Sequence, residues 1–202
     1  FVGDAFLQGM RAVYFSFEES PGQLILNMAS IGINLEAPVQ QGLLTIASAR
    51  PTHFGLEEHL IAAFQTIDEL QPECVVIDPV SNFTSIGTSD EVKSMLTRLL
   101  DGIKMRRITA LMTSLSQGTD HPTETESRVS SLMDTWIVLD QKLVENVRHR
   151  ELFIYKSRGM EHSVETKELI MSSHGLTLRK LPYLFSEYSH SVGALEAKNG
   201  SR

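Results

Sequence analysis

The chain has 202 residues and a single cysteine, Cys74. That excludes a disulfide within the chain and a cysteine-built zinc cluster. It suits a reducing compartment, so a cytoplasmic protein is expected. No apolar run approaches the roughly 18 residues of a membrane span, and no secretory leader is visible. The seven histidines are scattered, with no H-x-x-x-H pair to suggest a metal helix. Basic charge is scarce: 18 Lys and Arg face 25 Asp and Glu, for a net charge of −7. That balance argues against a general nucleic-acid binder, despite the RHR triplet at 148–150. There is also no initiating methionine. FVGDAFLQGM sets Phe1, Val2, Ala5 and Phe6 on one helical face with Gly9 to close it. The expectation is the back half of a helix in a longer protein.

What is present reads as one globular domain with a substantial core. Hydrophobic residues make up 42% and charged residues 21%, both ordinary for that class. Apolar runs at 11–17 (RAVYFSF), 43–48 (LLTIAS), 74–78 (CVVID), 108–114 (ITALMTS) and 136–140 (WIVLD) read as strands. Between them lie helical patterns. Ser20-Pro21 supplies an N-cap and an N1 proline for a helix that buries Leu24, Met28 and Ile31 and ends near Gly32. Residues 56–70 carry Leu56, Leu60, Ala63, Phe64 and Ile67 at helical spacing. Residues 89–107 open on SDE and close on KMRR, which suits the helix dipole. A short helix is expected over 127–134 after a polar loop at 116–126. ELFIYK (151–156) and residues 165–171 read as a C-terminal β-hairpin around Arg158-Gly159. His59 is expected on the helix surface, Cys74 and Trp136 in structural positions. Residues 1–176 are expected to form the domain, and 177–202 a weakly ordered tail.

Strands alternating with helices predict an α/β fold: a mainly parallel twisted sheet flanked by helices. Ligands of such sheets bind beyond the carboxyl ends of the strands. Glu18, Glu19, Asp78, Thr113 and Ser114 all lie at such ends. As neighbours in sequence, Glu18 and Glu19 are expected on opposite faces of their strand. CVVIDPVSNF has the form of a Walker B strand, whose acid serves Mg2+ through hard oxygen. A carboxylate at the adjacent strand end can take a proton from an attacking water or hydroxyl. The phosphate cradle G-x-x-x-x-G-K-[ST] does not occur. It would lie just before the first helix, so a missing N-terminal P-loop segment is expected upstream. These residues alone are expected to hold nucleotide poorly.

The ordered motifs YFSFEESPGQL, GLEEHL, CVVIDPVSNF, ALMTSLSQ, ESRVSSLMDTWIVL and RELFIYKSRGMEH resemble the KaiC family of RecA-like P-loop ATPases, most nearly its C-terminal repeat. The resemblance implies a RecA-like fold with ATP and Mg2+ as cofactors. It implies catalytic roles for Glu18, as leading general base, and Glu19, in support, with Asp78 as the Walker B acid. Pro79 stands where a small hydroxyl residue is common. Family members form rings, usually hexamers, with ATP between neighbours. Arg150, Lys156 and Arg158 match the basic residues that reach across that interface. Ser130 and Ser131 match autophosphorylated positions, with Thr125 and Glu126 just upstream. The tail does not match the segment where a clock partner docks, which favours signalling roles outside a clock. The function implied is ATP hydrolysis and Ser/Thr autophosphorylation in a homo-oligomeric ring, with regulatory protein partners and no membrane. The alternative is a non-catalytic, nucleotide-dependent assembly module. A DNA motor would need tight DNA binding that falls steeply with salt.

Overall fold

A computed structural model describes residues 2–115 and 131–181. These divide into two compact units, one up to Met133 and one from Asp134. The first unit runs α1 (Val2–Leu7), β1 (Ala12–Ser16), α2 (Pro21–Ser30), α3 (Glu36–Gln40), β2 (Leu44–Ser48), α4 (Leu56–Leu70), β3 (Cys74–Asp78), α5 (Ser89–Met105) and β4 (Thr109–Met112). Short 3-10 turns at Pro51–His53 and Val80–Ser85 follow β2 and β3.

The four strands form a parallel sheet in the order β2-β1-β3-β4, as the alternating pattern predicts. The fold is α/β and RecA-like. Alternate residues of β1 and β3 feed two cores. Val13, Phe15, Val75 and Ile77 pack with α4 and α5 through Leu60, Ile67, Leu96 and Ile103. On the other face Ala12 and Cys74 pack with Ala5 of α1 and Leu24 of α2. Cys74 is thus a buried packing residue, as expected. α4 and α5 approach closely at Gly102, where an added Cβ would lie 2.3 Å from the Phe64 ring.

Helix ends follow their sequence signals. Ser20 caps α2 by accepting the Gln23 N–H at 3.3 Å, with Pro21 in the first turn. Thr88 and Glu91 form a reciprocal capping box at the start of α5. α3 and the 3-10 turn at Val80–Ser85 were not expected. Their short apolar stretches carry no full helical period.

The second unit is a four-stranded antiparallel sheet, β5 (Thr135–Val144), β6 (Val147–Ser157), β7 (Lys167–Ser172) and β8 (Gly175–Lys180), in that order. The expected hairpin is its central pair, β6 and β7. β5 and β6 close around Glu145-Asn146, both at positive φ (47° and 65°), in the two-residue turn that matches strand twist. β8 was not anticipated, and the expected boundary at 176 falls inside it. Residues 131–134 are turn and bend rather than helix; the rest of the expected 127–134 helix, and the tail from 182, lie outside the described residues.

One face of this sheet carries Leu139, Leu152, Leu169 and Leu178. On the other, Glu151 and Glu168 sit opposite each other, only 3% and 4% exposed. Lys142 lies 3.2 Å from Glu151. Arg179 Nε donates to Glu168 at 2.6 Å and His149 Nδ1 lies 2.7 Å from it. The Arg179 bond, ahead of that from His149, holds the Glu168 carboxyl below its usual range. Opposite charge on each side makes the burial of two facing carboxylates tolerable.

Replacing Thr88 with Ala should lower stability by about 1 kcal/mol in urea unfolding at neutral pH. Glu91 accepts from the Thr88 N–H and hydroxyl, and these bonds hold its carboxyl below the ordinary glutamate range. Its contribution is therefore present above that range and lost as pH falls through the depressed value. Glu91→Gln should accordingly destabilise at neutral pH and make no difference in acid, measured by the same unfolding curves.

Candidate active site

β1 ends one residue before the apolar run does, and this corrects the simplest reading of the two glutamates. Strand alternation does not separate Glu18 from Glu19, because β1 stops at Ser16 and residues 17–19 form a bend. A buried hydroxyl shapes that bend. Ser16 Oγ donates to the Glu19 carbonyl at 2.7 Å and accepts the Glu19 N–H at 3.2 Å. Ser48, at the end of β2, donates to the same carbonyl at 3.0 Å. Phe17 N–H continues the ladder to the Asp78 carbonyl at 2.8 Å. The backbone of Glu19 is therefore held from two strands. Its side chain accepts from Asn27 Nδ2 of α2 at 2.7 Å. Glu18, at the tip, is exposed and has no side-chain partner among the described residues.

Asp78 lies between the strand ends of β1 and β4. Tyr14 of β1 donates its phenolic hydrogen to one carboxylate oxygen. Thr113, just past β4, donates its hydroxyl to the other. The Thr113 backbone extends the ladder, with its N–H on the Ile77 carbonyl at 3.0 Å and its carbonyl accepting from Val80 at 2.8 Å. Burial, then the bond to Asp78 and the charges of Asp78 and Glu19, push the Tyr14 phenol far above the ordinary tyrosine range. It is a hydrogen donor at any physiological pH. The Asp78–Pro79 peptide is cis. Ser114 is exposed and makes no hydrogen bond to this group.

Beside Glu18 lies an open cleft of about 290 Å³, lined among others by Arg50, Thr52, Ser81, Asn82 and Ser85. One wall is fixed by His59. Contrary to the surface position expected, His59 is only 6% exposed. Its Nε2 donates to the Pro51 carbonyl at 3.0 Å, and its ring meets Phe17, Phe54 and Phe83 edge-on at 5.4–5.6 Å. Helical periodicity placed it at a helix position without revealing that the 50–54 loop folds over it.

The structure thus brings Glu18, Glu19, Asp78 and Thr113 to one sheet edge and leaves Ser114 apart. Arg150, Lys156 and Arg158 lie in the second unit. Partial burial and the Arg158 charge pull the Lys156 ammonium below the ordinary lysine range. Ser131 stands in a turn of the first unit; Ser130, Thr125 and Glu126 lie outside the described residues. Tyr14, Asn27 and Arg50 were missed. A tyrosine inside an apolar strand was the available signal for the first, since a buried phenol needs a polar partner.

The donors at this edge are oxygens. Among the described residues no three His, Cys, Asp or Glu side chains form a metal cage. Such a set fits a hard cation that keeps its water and is held by one or two carboxylates and by phosphate.

A parallel sheet flanked by helices, with one acid closing β3 and two further carboxylates just past β1, is the arrangement expected of a RecA-like ATPase domain, and the family match bears out that class. A sequence profile of the KaiC ATPase matches residues 1–182. Circadian clock protein KaiC2 of Synechocystis sp. strain PCC 6803 is 39% identical over 175 residues, which cover 85% of this chain and 31% of that protein. Circadian clock oscillator protein KaiC of Acaryochloris marina is 32% identical over 179 residues, 87% of this chain and 34% of its own length. The protein of the same name from Synechococcus elongatus is 30% identical over 176 residues, 87% of this chain and 34% of its own. The chain belongs to the KaiC family, and it spans about a third of the length of these relatives. Among the described residues no helix is long and apolar enough to cross a membrane.

Replacing His59 with Ala should cost about 2–4 kcal/mol of stability, from the lost aromatic packing and the loss of one of the two hydrogen bonds to the Pro51 carbonyl. Urea unfolding of the variant checks this; a loss below about 0.5 kcal/mol, the size of an ordinary surface change, would return His59 to the helix surface.

Proposed function

We propose that this chain carries the greater part of the ATP-hydrolysing domain of a KaiC-like protein that also phosphorylates itself on serine, over the residues 1–182 that the family profile matches. The observation that carries this reading is the single row of acids at the strand ends: Asp78 clamped by two hydroxyls, Glu19 held by its backbone, and Glu18 left unpartnered. Three acids with three different degrees of restraint suit three different tasks.

Glu18 is the general base. Its exposed carboxylate takes the proton from an attacking water or serine hydroxyl, leaving the oxygen able to form the new bond to phosphorus. Glu19 supports it by fixing the bend, through the Ser16, Ser48 and Asn27 bonds. Asp78 and Thr113 would hold the hydrated Mg2+ of the nucleotide, which would supply positive charge against the transferred phosphoryl group. No phosphate-cradling G-x-x-x-x-G-K-[ST] motif lies within these residues, so the reading concerns the complete protein.

In that protein the domains assemble as a hexameric ring in the cytoplasm. Arg150, Lys156 and Arg158 reach nucleotide bound to the next subunit, where positive charge complements the phosphates. Ser130 and Ser131 are the phosphoacceptors, and the ring serves signalling or clock regulation through regulatory partners. Support for these finer assignments is the motif match together with the names of the relatives.

In the complete protein, Glu18→Gln should lower ATP turnover by about 10²-fold or more while leaving ATP affinity within about twofold, measured by phosphate release and nucleotide titration. Unchanged turnover would remove Glu18 from catalysis. Turnover that is negligible in the parent protein as well, with assembly that responds equally to ATP and a non-hydrolysable analogue, would make the domain a nucleotide-dependent assembly module.

A further inference from the structure

Tyr14 sits where an aliphatic residue would serve packing equally well. Its ring lies against the core formed by Ala12, Leu24, Leu44 and Cys74 on the α1–α2 side of the sheet. Nothing in that core needs a hydroxyl. Yet the phenol reaches out of it, along β1, to a carboxylate two register positions further up the sheet: Tyr14 is paired with Val76 of β3, and Asp78 is paired with Ser16. The ring is thus anchored at one end by apolar packing and at the other by a bond to an acid. Long side chains with a rigid ring lose little freedom in making such a bond, so the orientation it imposes is firm.

The geometry of the acid completes the picture. A carboxylate has two oxygens and turns about its side-chain bonds among several wells. Tyr14 takes one oxygen of Asp78 from the β1 side, and Thr113 takes the other from the β4 side. Each hydroxyl has one hydrogen to give. With both given to Asp78, a single plane of the carboxylate satisfies both, and each oxygen keeps a lone pair directed away from the clamp. Thr113 alone would leave the group free to swing about that one bond. The charge-assisted character of both bonds makes the restraint stronger than that of two neutral hydrogen bonds.

We propose that Tyr14 is a positioning residue for the metal–nucleotide site: its core-anchored phenol, acting with Thr113, fixes the plane in which Asp78 meets a hydrated divalent cation. This rests on the reading of Asp78 as the Mg2+-associated acid, and it assigns to Tyr14 a task that packing does not explain. Tyr14 touches neither cation nor nucleotide; it acts through Asp78, as groups behind a metal ligand commonly do.

Two variants of the complete protein and one double variant test this, with Mn2+ as the probe. Mn2+ binding to the ADP complex is followed by the loss of its free EPR signal, and thermal unfolding is recorded without metal. Tyr14→Phe keeps the ring in the core. It should weaken Mn2+ binding by about 10-fold or more, the scale of losses behind a metal ligand, while metal-free ADP affinity and the metal-free melting temperature stay close to those of the parent. Asp78→Asn should weaken Mn2+ at least as much. Adding Tyr14→Phe to Asp78→Asn should then weaken it no further, because the phenol acts only through the acid.

Normal Mn2+ affinity in Tyr14→Phe, alongside weakened binding in Asp78→Asn, would overturn the role of Tyr14 and leave the site reading intact. Undiminished affinity in Asp78→Asn would overturn both. A Tyr14→Phe protein that loses metal-free stability and Mn2+ affinity together, with the losses additive in the double variant, would make Tyr14 a packing residue only.

Discussion

Ser16 lies opposite Ser48 on one side and Asp78 on the other, and the candidate site hangs from that row. Parallel pairing without a bulge brings β1, β2 and β3 to their ends at one level. A shift of one residue in either pairing would turn Asp78 or Tyr14 to the opposite face of the sheet. What keeps the register is the near-continuous apolar character of β1 and β3, which are buried on both faces and feed a separate core on each. Ser16 is the fully buried polar side chain of β1. At 2% exposure its hydroxyl finds both partners in the backbone of Glu19. The burial of one small polar group thus decides where the acidic bend begins.

The three acids at this edge show how environment divides labour among chemically equal groups. Asp78 is held on both oxygens, Glu19 by backbone and by one amide, Glu18 by nothing among the described residues. Restraint suits a carboxylate that must meet an ion at a set angle, and mobility suits one that must collect a proton from an incoming hydroxyl. The neighbouring cleft is walled by the 50–54 loop, which is itself fastened by a buried histidine. So the unpartnered acid sits beside a wall that is itself held in place.

Much of the first unit was legible from periodicity and punctuation. α4 spans the residues its apolar spacing marks, and Ser20-Pro21 and the SDE start place α2 and α5. Asp78 and the glutamates were legible as strand-end acids. The reasons for their arrangement were not. The hydroxyls of Tyr14 and Thr113 reach Asp78 from 64 and 35 residues away, and a one-dimensional pattern carries no trace of such pairs. His59 illustrates the same limit, because its burial is created by a loop rather than by its own helix. In the second unit WIVLD marked the first half of β5, while charged alternation disguised its second half and all of β8, since Lys, Gln and Arg dilute the apolar signal.

The facing glutamates of β6 and β7 bear on how this sheet finds its pairing. Only two residue pairs join these strands, Glu151 with Glu168 and Leu152 with Lys167. So short a ladder is a weak specification by backbone bonding alone. A slip of one residue between β6 and β7 would turn Glu168, together with the Arg179 paired to it across β8, to the leucine face of β6 and part it from His149. The misaligned sheet would thus set a charged pair among leucines, a penalty of desolvation where hydrogen bonding would tolerate the slip. The Glu168–Arg179 pair acts as a proofreading device for assembly: it rejects the wrong register rather than rewarding the right one.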